Sequence, residues 1–332
     1  MDIRPASRVD ESALRAFYAG AYPARAAFLG EHWRWLYRVG RFPGIEPLVL
    51  VEGGRVLGHA GAIPAVISRH GREAPAMWFT DFFVAPELQG KGHGRALTEA
   101  WMAMCPDRVS FCNDLSIRVF RKQGWKDRDD ASVRTQPLEL SGPLRRRLGP
   151  LGAAAGLALN APWRAWQRAR VANAPALELA PLPGADRLAA LLDDPALSGA
   201  RVVRDEDWCR WRLLDHPRRD EHRLASCGGV AAVLRLFTSL GRRRAHLLHV
   251  GPGSAAARAG LVKAFARWAL DEGADDAWLV AGAPDLAAAG ALYFKRAHTA
   301  HFAWSSSDAA VEKALGETRA QGLDSDHDLM FP

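Results

Sequence analysis

Glycine occupies every second position of one short loop between an apolar strand and the start of a helix, at Gly90, Gly92 and Gly94. Glycine lets a backbone turn its amide groups toward one point. The helix that follows adds the unpaired N–H groups of its first turn and the positive end of its dipole. Basic side chains alternate with the glycines at Lys91, His93 and Arg95. The pattern predicts a cradle for an anion of pyrophosphate size, although the glycines alone would also suit a tight strand-to-helix turn.

The spacing of this loop excludes two common phosphate-binding motifs. A P-loop has four residues between its first glycine and a Gly-Lys-Ser/Thr triplet, and no Ser or Thr follows Lys91. A dinucleotide-binding fingerprint reads GxGxxG near an acidic ribose ligand, which residues 90–94 do not match. The wider context is more specific, because an apolar strand and a Val-x-Pro step precede Gln89-Gly90-Lys91-Gly92-His93-Gly94.

This segment resembles the cofactor motif of the GNAT superfamily of N-acetyltransferases, which reads Gln/Arg-x-x-Gly-x-Gly/Ala. A second motif of that superfamily follows in the expected place. It begins with Asn and ends with Gly and an aromatic residue, here Asn113 and Gly124-Trp125. The resemblance covers residues 1–140 and is most specific over residues 80–125.

The resemblance implies an acyl-CoA cofactor, most simply acetyl-CoA, that lies where two strands splay apart. It assigns the pantetheine arm to the strand amides around Phe82, Phe83 and Val84. It assigns the pyrophosphate to the loop residues Gln89, Gly90, Lys91, Gly92, His93, Gly94 and Arg95. Asn113 would face the pantetheine or the thiol.

Acyl transfer from a thioester requires the protein to position an amine, remove its proton and return a proton to the thiolate. Asp81 is the acidic residue on the strand before the loop, and we predict that it is the base. An aspartate at this position could instead cap a bulge or hydrogen-bond the adjoining loop. Glu52 and Asp114 are weaker candidates for the same role.

The proton donor to the thiolate is missing from its usual position. Members of the superfamily typically carry a tyrosine where this chain has Phe120, which has no proton to donate. Cys112, Tyr37 and water remain open as substitutes.

The order of predicted elements in the first half recurs in the second, and Arg34-Trp35 is echoed by Arg210-Trp211. We therefore predict an α/β (α+β) fold of two tandem GNAT-like domains, each a mixed, mostly antiparallel sheet flanked by helices. The first domain spans residues 1–140, with 132–140 as its last strand. Residues 141–175 form a helical, basic linker, which we expect to pack between the domains rather than on a membrane surface. The second domain spans residues 176–332.

The second copy lacks a competent cofactor loop. Its strand-to-helix junction reads Val250-Gly251-Pro252-Gly253-Ser254, and Leu286 stands where the second motif would have Asn. Tyr293 is retained in a segment that resembles that motif. We expect a structural role for this copy, with a diverged second site as the alternative. Asp324-Ser325-Asp326 is interpreted as a solvated acidic tail, or alternatively as a contact for a substrate amine.

Composition places the chain among ordinary globular proteins. Its 332 residues are 48% hydrophobic and 24% charged, enough apolar surface for a core in each half. The net charge of +7 comes mostly from arginine. We discount this bias as a nucleic-acid signal, although it favours anionic partners. The four cysteines lack metal-binding or disulfide spacing and the N-terminus lacks a signal-peptide pattern, so we expect a cytoplasmic protein with no metal and no membrane span.

These observations favour transfer of an acetyl group from acetyl-CoA to a primary amine on a small molecule or peptide. The acceptor and the oligomeric state are not specified by the sequence. The alternative is a non-catalytic acyl-CoA-binding or scaffold protein, which Phe120 and the degenerate second copy would suit. Transfer of an amino-acyl group in cell-envelope synthesis is a third possibility, which the intact CoA-type loop argues against.

Overall fold

The computed structural model of this chain describes residues 1–69, 71–129, 132–194, 200–281, 295–299, 301–318 and 321–324. The helices of the first half are α1 (Glu11–Ala21), α2 (Ala26–Leu36), α3 (His93–Met102) and α4 (Ser116–Lys122). Its strands are β1 (Asp2–Pro5), β2 (Leu48–Glu52), β3 (Arg55–Arg69), β4 (Arg72–Val84), β5 (Arg108–Cys112), β6 (Lys126–Arg128) and β7 (Ser132–Pro137).

A long bent helix, α5 (Ser141–Val171), leads into the second half. The helices there are α6 (Ala185–Leu192), α7 (Glu206–Cys209), α8 (Ala255–Asp271) and α9 (Ala309–Gly316). The strands are β8 (Glu178–Ala180), β9 (Ala200–Val202), β10 (His222–Cys227), β11 (Val230–Ser239), β12 (Arg242–Val250), β13 (Asp276–Ala281), β14 (Lys295–Thr299) and β15 (His301–Ser305).

The elements form two mixed sheets with helices on their faces, as predicted. The first sheet has the order β1-β2-β3-β4-β5-β15-β6, with β9 also paired to β3. The second has the order β14-β7-β13-β12-β11-β10-β8. Among the described strands, one pair in each sheet is parallel, β4 with β5 and β12 with β13, and the other pairs are antiparallel.

The apolar side chains form three layers around these sheets. One core, which includes Leu97 and Phe120, lies between the first sheet and helices α3 and α4. A second lies between the two sheets and contains side chains of both halves, among them Trp33 and Trp208. A third, which includes Phe265, packs α8 on the outer face of the second sheet. Because the middle layer is shared, the two halves bury one common core.

The two halves also exchange strands. We expected residues 132–140 to form the last strand of the first domain. Strand β7 instead lies between β13 and β14 of the second sheet. In return β15 lies between β5 and β6 of the first. The alternation in residues 132–137 predicts a strand, but it does not say which sheet offers the partner edge. The expected boundary at residue 140 therefore divides the sequence without dividing the sheets.

The contact between the halves is reciprocal at two tryptophans. The indole N–H of Trp35 donates to the carbonyl of Trp211 at 3.1 Å, and that of Trp211 donates to the carbonyl of Trp35 at 2.8 Å. These are the tryptophans of the two Arg-Trp pairs that the sequence comparison of the halves singled out. The reciprocal bonds and exchanged strands indicate an approximate two-fold relation between the copies.

The predicted linker is largely the helix α5, which bends at Gly149 (φ 62°). It packs on the second sheet and α8: the Trp163 indole donates to the carbonyl of Pro137 at 3.0 Å, and Gln136 donates to Gln167 at 2.7 Å. One face of α5 is thus buried against the second sheet and α8, whereas we expected the linker to pack between the two domains. Among the described residues no helix is both long and apolar enough to cross a bilayer.

One predicted helix of the second half is partly wrong. The sequence pattern predicts a helix over residues 286–296, but Lys295 and Arg296 begin the strand β14. The remainder of that segment, with Leu286 and Tyr293, lies outside the described residues.

Candidate functional site

A cavity opens where β4 and β5 diverge. The two strands pair as far as Phe79 and Ser110, where the Ser110 hydroxyl donates to the Phe79 carbonyl at 2.9 Å. Beyond this point β4 continues to Val84 without pairing to β5. The cavity has a volume of about 740 Å³ and lies between β4, the glycine loop, α3 and α4. The resemblance anticipated this splayed pair of strands.

Most of the residues assigned to the cofactor line this cavity. They are Phe82, Phe83, Val84, Gln89, Gly90, Gly92, Gly94 and Arg95. Helix α3 adds Thr98, Glu99 and Met102, and helix α4 adds Val119, Lys122 and Gln123. The side chains of Lys91, His93 and Asn113 do not line it.

The glycine loop presents unpaired amide groups to one end of the cavity. Gly90 and Gly92 have φ angles of 75° and 85°, which L side chains rarely adopt. Gly92 is the residue that precedes α3. Within the described part of the chain, no backbone or side-chain acceptor pairs with the N–H groups of residues 90 and 92–95. Such a group of free donors at a helix start suits a phosphate.

The walls of the cavity combine charged and apolar side chains. Arg95 and Lys122 supply positive charge, although Arg95 is also paired with Glu99 at 2.7 Å. Phe82 and Val119 are unusually exposed for their type, at 40% and 51%. An exposed apolar wall beside a polar end is the surface expected for a ligand with phosphates at one end and a less polar chain at the other.

Asn113 has a local structural task. Its side-chain oxygen accepts from the backbone N–H groups of Leu115 and Ser116 at 3.0 and 2.9 Å, and from the Ser116 hydroxyl at 3.1 Å. It therefore caps the start of α4, in the manner typical of asparagine. Its connection to the cavity is indirect, because α4 carries Val119 and Lys122.

Asp81 lies on a bulge of β4 directly before the cavity residues. Its φ is 48°, and the register of β4 against β3 shifts between His59 and Gly61. The side chain is 4% exposed and forms an ion pair with Arg25 at 2.6 Å. The Tyr37 hydroxyl donates to the same carboxylate at 2.7 Å. The structure thus places a fixed, nearly buried carboxylate at this bend, on the face of the sheet opposite α3.

The backbone carbonyl of Asp81 is held equally firmly. The Tyr22 hydroxyl donates to it at 2.5 Å, and so does the Nδ1–H of His59 at 2.8 Å. This bond leaves His59 Nε2 as an acceptor for the Tyr18 hydroxyl at 3.3 Å. His59 is fully buried, and burial lowers its pKa to about 4, so the ring is neutral at physiological pH.

Sequence reasoning missed most of this cluster, which we call the Asp81 cluster: Tyr18, Tyr22, Arg25, Tyr37, His59 and Asp81. It contains three of the four tyrosines of the chain. The signal available was Tyr18, Tyr22 and Arg25 at helical spacing in a segment where other polar residues are sparse. Phe83 joins the cluster to the cavity, because its ring lies 6.0 Å from that of Tyr22 while it also lines the cavity.

The other candidates for proton transfer lie elsewhere. Glu52 is exposed, and Asp114 is paired with His301 at 2.9 Å. Cys112 is buried, and burial raises the pKa of its thiol to about 12. Phe120 is a core residue, 4% exposed, with ring centroids 5.0 Å from Phe79 and 4.5 Å from Trp125. Of the open substitutes, Tyr37 alone belongs to the Asp81 cluster.

Among the described residues, the equivalent junction of the second half is closed. A side chain at Gly251 would meet the backbone carbonyl of Leu191 at 2.7 Å. The Gln321 amide bonds both the N–H and the carbonyl of Val250, at 2.7 and 2.9 Å, and so occupies the edge of β12. The space left beside Gly251 and Pro252 is about 10 Å³. It is too small for a pyrophosphate.

The interpretation of Asp324 as part of a solvated acidic tail is wrong. This residue is 2% exposed and makes a bidentate pair with Arg204, at 3.0 and 2.6 Å. A buried carboxylate is stable only when paired in this way. Ser325 and Asp326 lie outside the described residues.

Comparison with known proteins agrees with this geometry. A family model described as Acetyltransferase (GNAT) family matches residues 9–125. No curated protein gives a significant sequence match. Among solved structures, a GCN5-related N-acetyltransferase from Kribbella flavida is 16% identical, with a TM-score of 0.54, over 94% of this chain and 73% of that one.

Two further structures have the same fold. A conserved protein of Enterococcus faecalis, described as a probable N-acyltransferase, is 12% identical with a TM-score of 0.55, over 91% of this chain and 71% of that one. N-myristoyltransferase from Saccharomyces cerevisiae, solved with myristoyl-CoA, is 11% identical with a TM-score of 0.58, over 92% of this chain and 78% of that one. At these identities the likeness is one of fold.

Proposed function

We propose, for a chain whose residues 9–125 belong to the acetyltransferase (GNAT) family, that the protein transfers an acetyl group from CoA to a primary amine. The observation that carries the proposal is at the end of β4. There the cavity with its unpaired loop amides adjoins the Asp81 cluster through Phe83. Acyl transfer requires a donor site and an acid–base site to lie side by side, and Phe83 is the side chain that links the two here.

The donor is assigned to the cavity in the first half. The N–H groups of residues 90 and 92–95 hold the pyrophosphate, with Arg95 and Lys122 adding charge. The backbone from Phe82 to Val84 and the side chain of Val119 line the path of the pantetheine arm. When bound, acyl-CoA supplies a thioester that is already activated. The chain has only to hold it and move two protons.

The aromatic core behind the cavity wall favours a short acyl group. The ring of Phe82, which lines the cavity, lies 5.5 Å from that of Phe79. Phe79 in turn lies 4.6 Å from Trp101 and 5.0 Å from Phe120, all measured between ring centroids. Phe79, Trp101 and Phe120 are each at most 5% exposed. A long acyl chain would have to displace this packed core.

We therefore expect acetyl-CoA and propionyl-CoA to be used and octanoyl-CoA to be poor. The expected kcat/KM for octanoyl-CoA is about 10- to 100-fold lower, since forcing extra methylenes into a packed wall costs about 1–3 kcal/mol. Steady-state thiol release with one amine and the three donors measures this. Equal kcat/KM for acetyl and octanoyl donors would show that the rings do not limit the acyl pocket.

Asp81 is assigned as the base. The amine nitrogen attacks the thioester carbon, and its proton becomes strongly acidic as the C–N bond forms. The carboxylate, which is paired with Arg25 at 2.6 Å, accepts that proton directly or through water. The C–S bond then breaks, and the thiolate takes a proton.

We assign Tyr22 as the residue that donates a proton to the thiolate. Its ring contacts Phe83 at the cavity wall, and it is partly exposed, whereas Tyr18 and Tyr37 are fully buried. Burial raises the pKa of the Tyr37 hydroxyl well above its usual value, with the charge of Asp81 acting in the same direction. Tyr22 is thus the tyrosine of the cluster that adjoins the cavity wall, and its hydroxyl turns from the Asp81 carbonyl to the thiolate in this step.

The junction of the second half, which is closed as far as the structure describes it, predicts a single donor site. Calorimetric titration with CoA is expected to give one molecule per chain, because the space beside Gly251 is about 10 Å³ against about 740 Å³ in the first half. Two equivalent sites would contradict this interpretation and would make residues 251–254 a second phosphate loop.

Thiol release from acetyl-CoA with a panel of primary amines, alongside a direct CoA-binding assay, tests the proposed activity. Turnover with at least one amine is the expected result. Binding without turnover on any amine would favour a non-catalytic acyl-CoA-binding protein. The ion pair between Asp81 and Arg25 and the absence of a hydroxyl at Phe120 are the observations that suit that alternative.

A further inference from the structure

Helix α5 carries nearly all the net charge of the protein. Between Ser141 and Val171 there are six arginines and no aspartate or glutamate. The net charge of the whole chain is +7, so the rest of the chain contributes +1. The arginines fall in two groups, residues 145–147 before the bend at Gly149 and Arg164, Arg168 and Arg170 after it.

The same helix exposes a long uncharged face. After the bend, eight exposed residues follow one another at helical spacing: Leu151, Ala154, Ala155, Ala158, Pro162, Ala165, Trp166 and Ala169. The steps of three and four place all of them on one side of the helix. Leu151 is 83% exposed and Trp166 is 39% exposed. We call this surface the α5 apolar face.

The α5 apolar face cannot turn inward, because the opposite side of the helix is fixed. Gly152 and Gly156 lie against the backbone of the segment before the bend, where a Cβ would collide with Leu144 or Ser141. Gln167 and Val171 are buried on the second sheet. The exposed side is thus a constant surface of the folded protein, unlike the usual polar outer side of a surface helix.

We propose that the α5 apolar face binds the surface of an anionic lipid bilayer. An apolar face flanked by arginines is the arrangement that lies in a membrane interface, with apolar side chains among the acyl chains and cations at the headgroups. Arg168, on one flank of this face, and the arginines at 145–147 are exposed and can contact headgroups, whereas Arg164 donates to the Ala274 carbonyl at 3.1 Å. A second copy of the chain is a poorer partner, because it would bring twelve arginines together with no acidic residue on either helix. This proposal is independent of the acyltransferase activity.

Flotation with vesicles tests the proposal on the full chain. Vesicles of phosphatidylcholine with phosphatidylglycerol are compared with vesicles of phosphatidylcholine alone, at about 0.1 M salt, where the screening length is about 10 Å. Binding is expected to the anionic vesicles, to be weaker on the neutral ones and to fall as salt is raised. Leu151→Glu and Trp166→Glu are each expected to weaken binding about tenfold or more, since they place a carboxylate in the apolar contact.

The matched control is Leu240→Glu, which changes a leucine that is 93% exposed in the turn between β11 and β12. Binding of this variant is expected to equal that of the wild type. An unchanged melting temperature in each variant shows that the fold is retained. The proposal is overturned by absence of binding to anionic vesicles, by equal binding of Leu151→Glu and wild type, or by sedimentation showing a dimer that Leu151→Glu dissociates while vesicles do not bind.

Discussion

Replacing Asp81 with asparagine is expected to lower turnover by about 10²- to 10⁴-fold, the range found when a general base is removed. Asparagine tolerates the positive φ of this position, and its side-chain oxygen can still accept the Tyr37 hydroxyl. Affinity for acetyl-CoA is expected to stay nearly the same, because the carboxylate faces the Tyr37 side of the sheet and the loop amides are untouched. Steady-state kinetics with a productive amine, together with a CoA titration, measure both quantities.

A second variant separates catalysis from structure, because Asp81→Asn also leaves Arg25 without its carboxylate partner. Arg25→Gln breaks the same ion pair but keeps the carboxylate. If the carboxylate acts as the base, Arg25→Gln retains far more activity than Asp81→Asn. Equal loss in the two variants would reduce Asp81 to a structural anchor for the bulge. Full activity of Asp81→Asn would show that water or another acid removes the proton.

Gly92→Glu is expected to abolish the stabilisation of the protein by CoA. At about a hundred times its dissociation constant, a ligand that binds only the native state stabilises it by about 2.7 kcal/mol. Glutamate at position 92 would place a carboxylate at the unpaired amides, where it would repel the pyrophosphate. Melting curves with and without CoA give the shift for the wild type and the variant.

The conformational strain of this substitution needs its own control. Gly40 has the same φ of 85°, and a side chain there would also enter open space. Gly40→Glu is expected to be destabilised to a similar extent in the absence of ligand while keeping the full shift on addition of CoA. A normal CoA shift in Gly92→Glu would mean that the phosphates bind elsewhere.

The local part of the candidate site could be predicted from the sequence. The glycines at 90, 92 and 94 predict a loop with particular backbone angles, and an apolar strand before it and a helix after it are set by short-range patterns. The repeated order of elements and the paired Arg34-Trp35 and Arg210-Trp211 likewise indicated two related halves. Such features depend on residues close together in the chain, whose geometry follows from backbone sterics and helix ends.

The surroundings of Asp81 were decided by the tertiary structure. Tyr22, Arg25, Tyr37 and His59 lie 22 to 59 residues away along the chain and meet Asp81 only because α1 and α2 pack on β3 and β4. The reason is that the free energy of a buried charge depends on all the groups around it, which no short segment specifies. The loss of the usual tyrosine at Phe120 was visible in the sequence, but the hydroxyls that surround Asp81 instead were not.

What the sequence by itself determined is therefore the type of each element, the glycine loop and the presence of two related copies. What only the tertiary structure decided is which edges those elements pair with. Strands β7 and β15 each alternate like ordinary strands, yet each completes the sheet of the other half. The alternation of apolar and polar residues predicts which side chains of a strand face a core. It does not predict which of two similar sheet edges the strand joins once the two halves share a common core. The same shared packing placed the C-terminal Gln321 on β12 and so closed the second junction.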